Sequence, residues 1–263
     1  MHAAKFGRTN FQNIDICQFS DSSFDGIRFV LYVPLRMEFN LEKYYYKGED
    51  LFRRLSPQEL SLLKQHLRTR NVRKNKMLFR QGSFPAGMYI LTKGRVKMFQ
   101  VNSDEKETII YFYTAGDLMG YRPMICHENH PLSCAALEDC TYSFLPREDF
   151  LKLLAKSPNL SNILLENLGH EFSVWVNSMS LFSTQSVKER IALALLKLHE
   201  IYKPGEHGKV HISLSRGDLA SYVGTAKETL VRVLADFKRR NIIDIQGRRI
   251  RILDREMLLE IIR

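Results

Sequence analysis

The chain has 263 residues, 44% of them hydrophobic, and a formal net charge of +10. That length suggests two domains of ordinary size, and the composition is that of a globular chain able to build its own cores. The positive balance favours a polyanionic partner. No apolar run reaches the roughly 18 residues of a membrane helix, and the first residues lack an apolar signal core; both place the chain in the cytoplasm, off the membrane.

Residues 1–48 carry Gly7, Ser20 to Ser23, Gly26, Pro34 and many aromatics with no sustained period. They read as a flexible extension, or as a stretch upstream of a start at Met37. A helix is expected after Glu49. Ser56 is its N-cap, Pro57 its first residue and Glu59 the capping-box acid, with Leu60, Leu63 and Leu67 on one face. From Met77 to Pro146 the period becomes two. The runs MLF, MYILT, RVKMF, TIIYFYT, SCAA and TYSFLP alternate with glycine, asparagine and aspartate turns. Short strands at this spacing predict an antiparallel sandwich, barrel or roll.

Helix returns near Arg147. Over 159–183, Leu165, Leu168, Phe172, Trp175, Met179 and Phe182 recur at spacings 3, 4, 3, 4, 3. This heptad seam predicts a partner helix, hence a homodimer. A second helix spans Val187 to about Ile201. KPGEHG at 203–208 then opens a terminal module.

In that module Ser215 caps a helix carrying Leu219, Ala220 and Val223, and Gly224 makes the corner. Thr225 is expected to cap the next helix, with Glu228 at its third position. Leu230, Val233, Leu234 and Phe237 form the buried face. Lys227, Glu228, Val231 and Arg232 lie opposite, on the turns that enter a major groove. Arginine suits guanine and glutamate suits cytosine. Ser215, Thr225, Lys238 (with Arg239 and Arg240) and the wing residues Arg248 and Arg249 suit phosphates. The predicted partner is therefore double-stranded DNA. No P-loop, G-x-S-x-G, H-E-x-x-H or dinucleotide fingerprint occurs, which argues against an enzyme.

The succession of β-roll, long helix and winged helix resembles the Crp-Fnr family of bacterial transcription regulators over roughly residues 50–263. The resemblance is carried by LSRGDLASYVGTAKETLVRVL, where Glu228, Thr229 and Arg232 match the E-T-x-x-R motif, by AGDLMGYRPM and by VKERIALALL. It implies an α+β chain: a cyclic-nucleotide-binding-like antiparallel β-roll (49–158), a dimerisation helix (159–183) and a winged helix-turn-helix (184–263). It also implies a homodimer on a palindromic promoter site, contact with RNA polymerase and control by an effector. The effector pocket maps to Gly120, Tyr121, Ser133 and Trp175. Cyclic-AMP-binding members have Gly-Glu and Arg-Ser there. This chain has Gly120-Tyr121 and Leu132-Ser133, which removes the phosphate's arginine and argues against cyclic AMP. Trp175 and Val176 replace the polar residues that face the base. Of the four cysteines only Cys17 precedes residue 126, which argues against an iron-sulfur cluster. Haem, with His127, His130, His170, Met119 and Met124 as candidate ligands, an apolar ligand, redox input through Cys126, Cys134 or Cys140, and the absence of any effector stay open. So does a ligand-sensing module without specific DNA binding.

Overall fold

The computed structural model describes residues 21–24, 27–30, 39–45, 51–203 and 210–262. Two compact units result, dividing between Phe39 and Asn40. In the first, β1 (Asp21–Phe24) pairs antiparallel with β2 (Ile27–Val30). The expected start at Met37 lies outside the described residues. The expected boundary at 48 moves to 39/40, because the next segment packs onto the second unit. There Leu41–Tyr44 form a 3-10 turn capped by Asn40, whose side chain accepts from the Glu42 amide. Leu41 is buried, and Asn177 Nδ2 on the long helix donates to Lys43 O at 3.1 Å.

Two helices follow, α1 (Leu51–Arg54) and α2 (Pro57–His66), the latter with the expected Ser56–Glu59 capping box. The roll comprises β3 (Arg68–Val72), β4 (Met77–Phe79), β5 (Gly87–Lys93), β6 (Val96–Val101), β7 (Glu107–Tyr113), β8 (Leu118–Met119), β9 (Ser133–Ala136) and β10 (Cys140–Pro146). A short α3 (Arg122–Cys126) follows β8. The strands form two four-stranded sheets, ordered β3-β10-β5-β8 and β4-β9-β6-β7.

The alternation along β5 creates two cores at once. Met88 and Ile90 face a helical layer with Leu51, Leu63, Leu145, Phe150 and Ile163. Tyr89 and Leu91 face the opposite sheet with Phe79, Val96, Met98 and Phe144. Where β5 meets β10, a Cβ on Gly87 would lie 2.2 Å from Leu145 O, so only glycine lets the strands close there.

Beyond the roll come α4 (Arg147–Lys156), the long α5 (Pro158–Thr184) and α6 (Val187–Tyr202). The terminal module contains β11 (Ile212–Ser213), α7 (Arg216–Val223), α8 (Lys227–Arg239), β12 (Ile243–Gln246), β13 (Arg249–Ile252) and α9 (Arg255–Ile262). Only the first turns of α5 are buried, through Leu160, Ile163, Leu164 and Asn167. No helix among the described residues is long and apolar enough to cross a membrane.

Glu59 ties α2 to the start of α5. Its carboxylate accepts from the Ser56 amide at 2.9 Å, from Asn159 Nδ2 at 3.0 Å and from the hydroxyl of Ser157, which is the N-cap of α5. These bonds, led by that of Ser157, pull its pKa down to about 2. A depressed carboxylate stabilises fully above its unfolded pKa and loses that contribution as pH falls through the folded one. Glu59→Gln is therefore expected to lower the melting temperature at pH 7 and to flatten the acid limb between about pH 5 and pH 2. An unchanged acid limb in melts across that range overturns this role.

Candidate nucleic-acid interface and sensory cavity

α7 begins at Ser215, whose Oγ accepts from the Asp218 amide at 2.9 Å and donates to the Asp218 carboxylate at 2.6 Å. The hydroxyl assigned to a phosphate thus already makes two intrachain bonds. Gly224 ends the helix in the left-handed region at φ 69°, and both its amide and that of Thr225 donate to Ala220 O. This closure corrects the expected cap of α8. Thr225 belongs to the end of α7, and Ala226 is the N-cap, with no side-chain bond. Glu228, moved one place nearer the helix start, makes no capping box.

Leu230, Leu234 and Phe237 bury one face of α8, while Lys227, Glu228, Val231 and Arg232 are exposed. The side chains of Lys227, Glu228 and Arg232 make no hydrogen bond or ion pair among the described residues, which leaves their polar groups facing solvent. Two wing strands, β12 and β13, join through Gly247 and Arg248, the glycine taking φ 58°. Arg248 and Arg249 are exposed at this tip. Lys238 is held differently: its Nζ donates to Ile245 O at 3.2 Å, bracing α8 against the wing. Arg239 and Arg240 both pair with Asp236. That acid tempers the basic run and was not singled out in the sequence.

α7 also rests on the edge of the roll. Lys97 Nζ on β6 lies 2.7 Å from Asp218 and 2.6 Å from Glu107. Burial pulls the Lys97 pKa down, but the bonds and charges of these two carboxylates outweigh it and the net shift is upward. The Ile109 amide donates to Ser221 Oγ at 3.2 Å, and Tyr222 meets Phe112 edge-on at 4.8 Å.

On α5, all six seam residues are exposed in the single chain, by 36–64%. The seam begins just where burial against the roll ends.

The roll holds a cavity of about 360 Å³ between β6, β7, α3 and α5. Of the four predicted effector residues, Gly120 and Trp175 line it. Tyr121, expected beside Gly120, is 2% exposed and belongs to the helical-layer core. Tyr121 follows β8 as the N-cap of α3, and that turn of the backbone carries its ring into the core. Ser133 is buried, and its Oγ accepts from the Gln81 amide at 2.9 Å. Arg122, which the sequence reading passed over, also lines the cavity and pairs with Glu171 of α5 at 3.6 Å. Its partner lies on another element, so spacing gave no signal. Tyr113 donates from its hydroxyl to the other Glu171 oxygen at 3.2 Å. Burial raises the Glu171 pKa, opposed by Arg122 and Tyr113.

Of the candidate haem ligands only His130 lines this cavity. It stacks on Phe79 at 4.1 Å, its Nε2 has no partner, and burial lowers its pKa to about 4, so it is neutral at physiological pH. Met119 and Met124 are sealed in separate cores, while His127 and His170 are exposed. These positions do not converge on a pair of axial ligands. Cys134 and Cys140 are buried and burial pushes both thiols up, the reverse of what thiolate ligation requires, while Cys126 is exposed. Cys17 lies outside the described residues.

Comparison with known proteins agrees with this architecture. Residues 69–157 match the cyclic nucleotide-binding domain and residues 189–261 the Crp-like helix-turn-helix domain. The transcriptional activator protein Anr of Pseudomonas protegens is 30% identical over 189 residues, covering 71% of this chain and 77% of that protein. The fumarate and nitrate reduction regulatory protein of Vibrio cholerae is 28% identical over 210 residues, covering 79% and 84%. The structure of FixK2 from Bradyrhizobium japonicum shares the fold at a TM-score of 0.67 and 22% identity, covering 74% of this chain and 96% of that one. The chain belongs to the Crp-Fnr family of transcription regulators, whose members bind DNA as dimers and contact RNA polymerase.

Because Thr225 is not the cap of α8, Thr225→Ala is expected to cost less than about 0.5 kcal/mol, against about 0.5–2 for loss of a capping hydroxyl. Denaturant unfolding decides between them; a loss above 1 kcal/mol (on the order of a true cap) restores the earlier assignment.

Proposed function

We propose that the roll acts as the sensory domain, α5 as the dimerisation helix through Leu165, Leu168, Phe172, Trp175, Met179 and Phe182, and the segment from α6 onward as the DNA reader. The protein acts in the cytoplasm by binding, with no catalytic step. Lys227, Glu228, Val231 and Arg232 read base edges of each half-site, with Arg232 on guanine and Glu228 on cytosine. Thr225, Arg248 and Arg249 meet phosphates, with smaller parts for Ser215 and Lys238, whose polar groups are already engaged. The observation that carries this reading is the exposed, polar outer face at the start of α8.

The effector in the roll is a small molecule other than cyclic AMP. Leu132 stands on the cavity wall where the phosphate's arginine is needed, and Phe172 and Trp175 close it with apolar surface. Neither an iron-sulfur cluster on four cysteines nor haem with two protein ligands is supported by the residue placements above.

Sequence selection from a random duplex pool is expected to return an inverted repeat with half-site centres about one helical turn apart, ~34 Å. Arg232→Ala is expected to cost about 1–3 kcal/mol and to relax selection at one base pair per half-site. Uniform weakening across all sequences removes Arg232 from base reading.

The seam is tested separately. Phe172→Lys places a charge in the middle of the apolar stripe and is expected to convert the dimer to monomer in sedimentation analysis. A dimer of unchanged stability shows that the protomers meet elsewhere.

A further inference from the structure

A second cavity, of about 300 Å³, lies where the 3-10 turn, β7, α5, α6 and α7 converge. It adjoins the roll cavity across Ile110, Tyr111 and Trp175, with Arg122 lining only the roll cavity and its ion-pair partner Glu171 lining only this one. Tyr44, Val174, Met179, Phe182 and Tyr222 are among the apolar and aromatic residues of its wall. One cation stands among them. Lys197 of α6 is 9% exposed. Its ammonium has a single long hydrogen bond, to Ser178 Oγ on α5 at 3.4 Å, and sits 5.6 Å from the Tyr222 ring centroid on α7.

A buried ammonium normally has a carboxylate partner, because desolvation of the charge is otherwise uncompensated. Lys197 has no ion pair among the described residues. Three acids share the wall, and each is engaged elsewhere: Asp117 accepts from the Thr114 amide at 2.6 Å, Glu171 pairs with Arg122, and Glu200 pairs with Lys203. An apolar enclosure holding one uncompensated positive charge is complementary to an amphipathic carboxylate.

We propose that this junction binds a medium-chain alkanoate or arylalkanoate, its carboxylate on Lys197 and Ser178 and its apolar body against Tyr44, Met179, Phe182 and Tyr222. The ligand bridges the long helix to the helix-turn-helix, since Ser178, Lys197 and Tyr222 lie on α5, α6 and α7. Its occupancy therefore bears on how firmly the reader is held.

The test is calorimetric titration of the full-length protein, without DNA, with decanoate and with decan-1-ol, which has the same chain and no charge. Decanoate is expected to bind saturably, one per protomer, and decan-1-ol more than about tenfold more weakly. Lys197→Met is expected to abolish that preference while leaving the free protein as stable or more stable, because it removes a buried unpaired charge. Lys197→Arg keeps the charge and is expected to retain a preference for the acid. Should Lys197→Met fail to fold, the wild-type comparison and Lys197→Arg still decide. Equal affinity for acid and alcohol, or no saturable binding because the partner's helix fills the space, overturns the proposal. Since no DNA is present, either failure leaves the DNA-reading assignment untouched.

Discussion

The architecture depends on an imbalance along one helix. The first turns of α5 bury Leu160, Ile163 and Leu164 against the roll, and beyond Asn167 none of its described residues is buried. Yet six large apolar side chains continue down the remaining length. Fully burying a side chain of this size is worth about 1.5–3 kcal/mol, so a contiguous exposed stripe of them is costly in water. The 3-4 spacing matches the seam of a second helix rather than the broader stripe of a helix packed on its own domain. On the proposed seam, dimerisation, a property of the family, has a physical cause in this chain. A dimer built on that seam would also set the distance between the two copies of α8, because each is joined to the end of its own α5 through α6.

That attachment is reinforced from the roll side. Asp218 makes three bonds to two partners: its amide donates to the cap Ser215, and its carboxylate accepts from Ser215 Oγ and Lys97 Nζ. One acid therefore starts α7 and fastens it to β6. Ser221 and Tyr222 extend the contact to β7. The exposed face of α8 proposed to read DNA takes no part in these contacts. A ligand that shifts β7 acts on α7 directly, and one that shifts the lower half of α5 reaches it through Lys197 of α6.

Much of this was legible in the sequence, for reasons that can be named. The Ser56–Glu59 capping box, the strands MLF, MYILT and SCAA, the seam and the buried face of α8 are all local patterns, and local geometry dictates them. β3 escaped because RTRNV is an exposed, mostly polar edge strand with no alternation to detect. α9 escaped because its signal lies after the wing, where the motif was taken to end. Thr225 was misplaced because the sequence T-A-K-E offers a cap, while the demand of α7 for closure at Gly224 is a backbone matter that composition does not reveal. Tyr121 was put in the pocket by homology of position, although the turn from β8 into α3 carries it into the core. Arg122 with Glu171, and Lys197 with Ser178, join residues far apart in the chain; spacing cannot display either.

These long-range polar pairs also support the proposal that the effector is not cyclic AMP. In the roll cavity the arginine at hand, Arg122, is engaged by Glu171 and is set by α3 rather than by the strand that carries the phosphate arginine in nucleotide-binding relatives. A phosphate entering there must compete with a carboxylate on α5. His130, neutral and stacked on Phe79, offers a hydrogen bond but no positive charge. The apolar part of the wall includes Leu132, Leu168, Phe172 and Trp175. Three of those four lie on α5, and all three belong to the seam. Ligand chemistry in the roll and packing of the dimer are therefore set by the same side chains, so a change in how the cavity is filled is at once a change in the surface the partner helix meets.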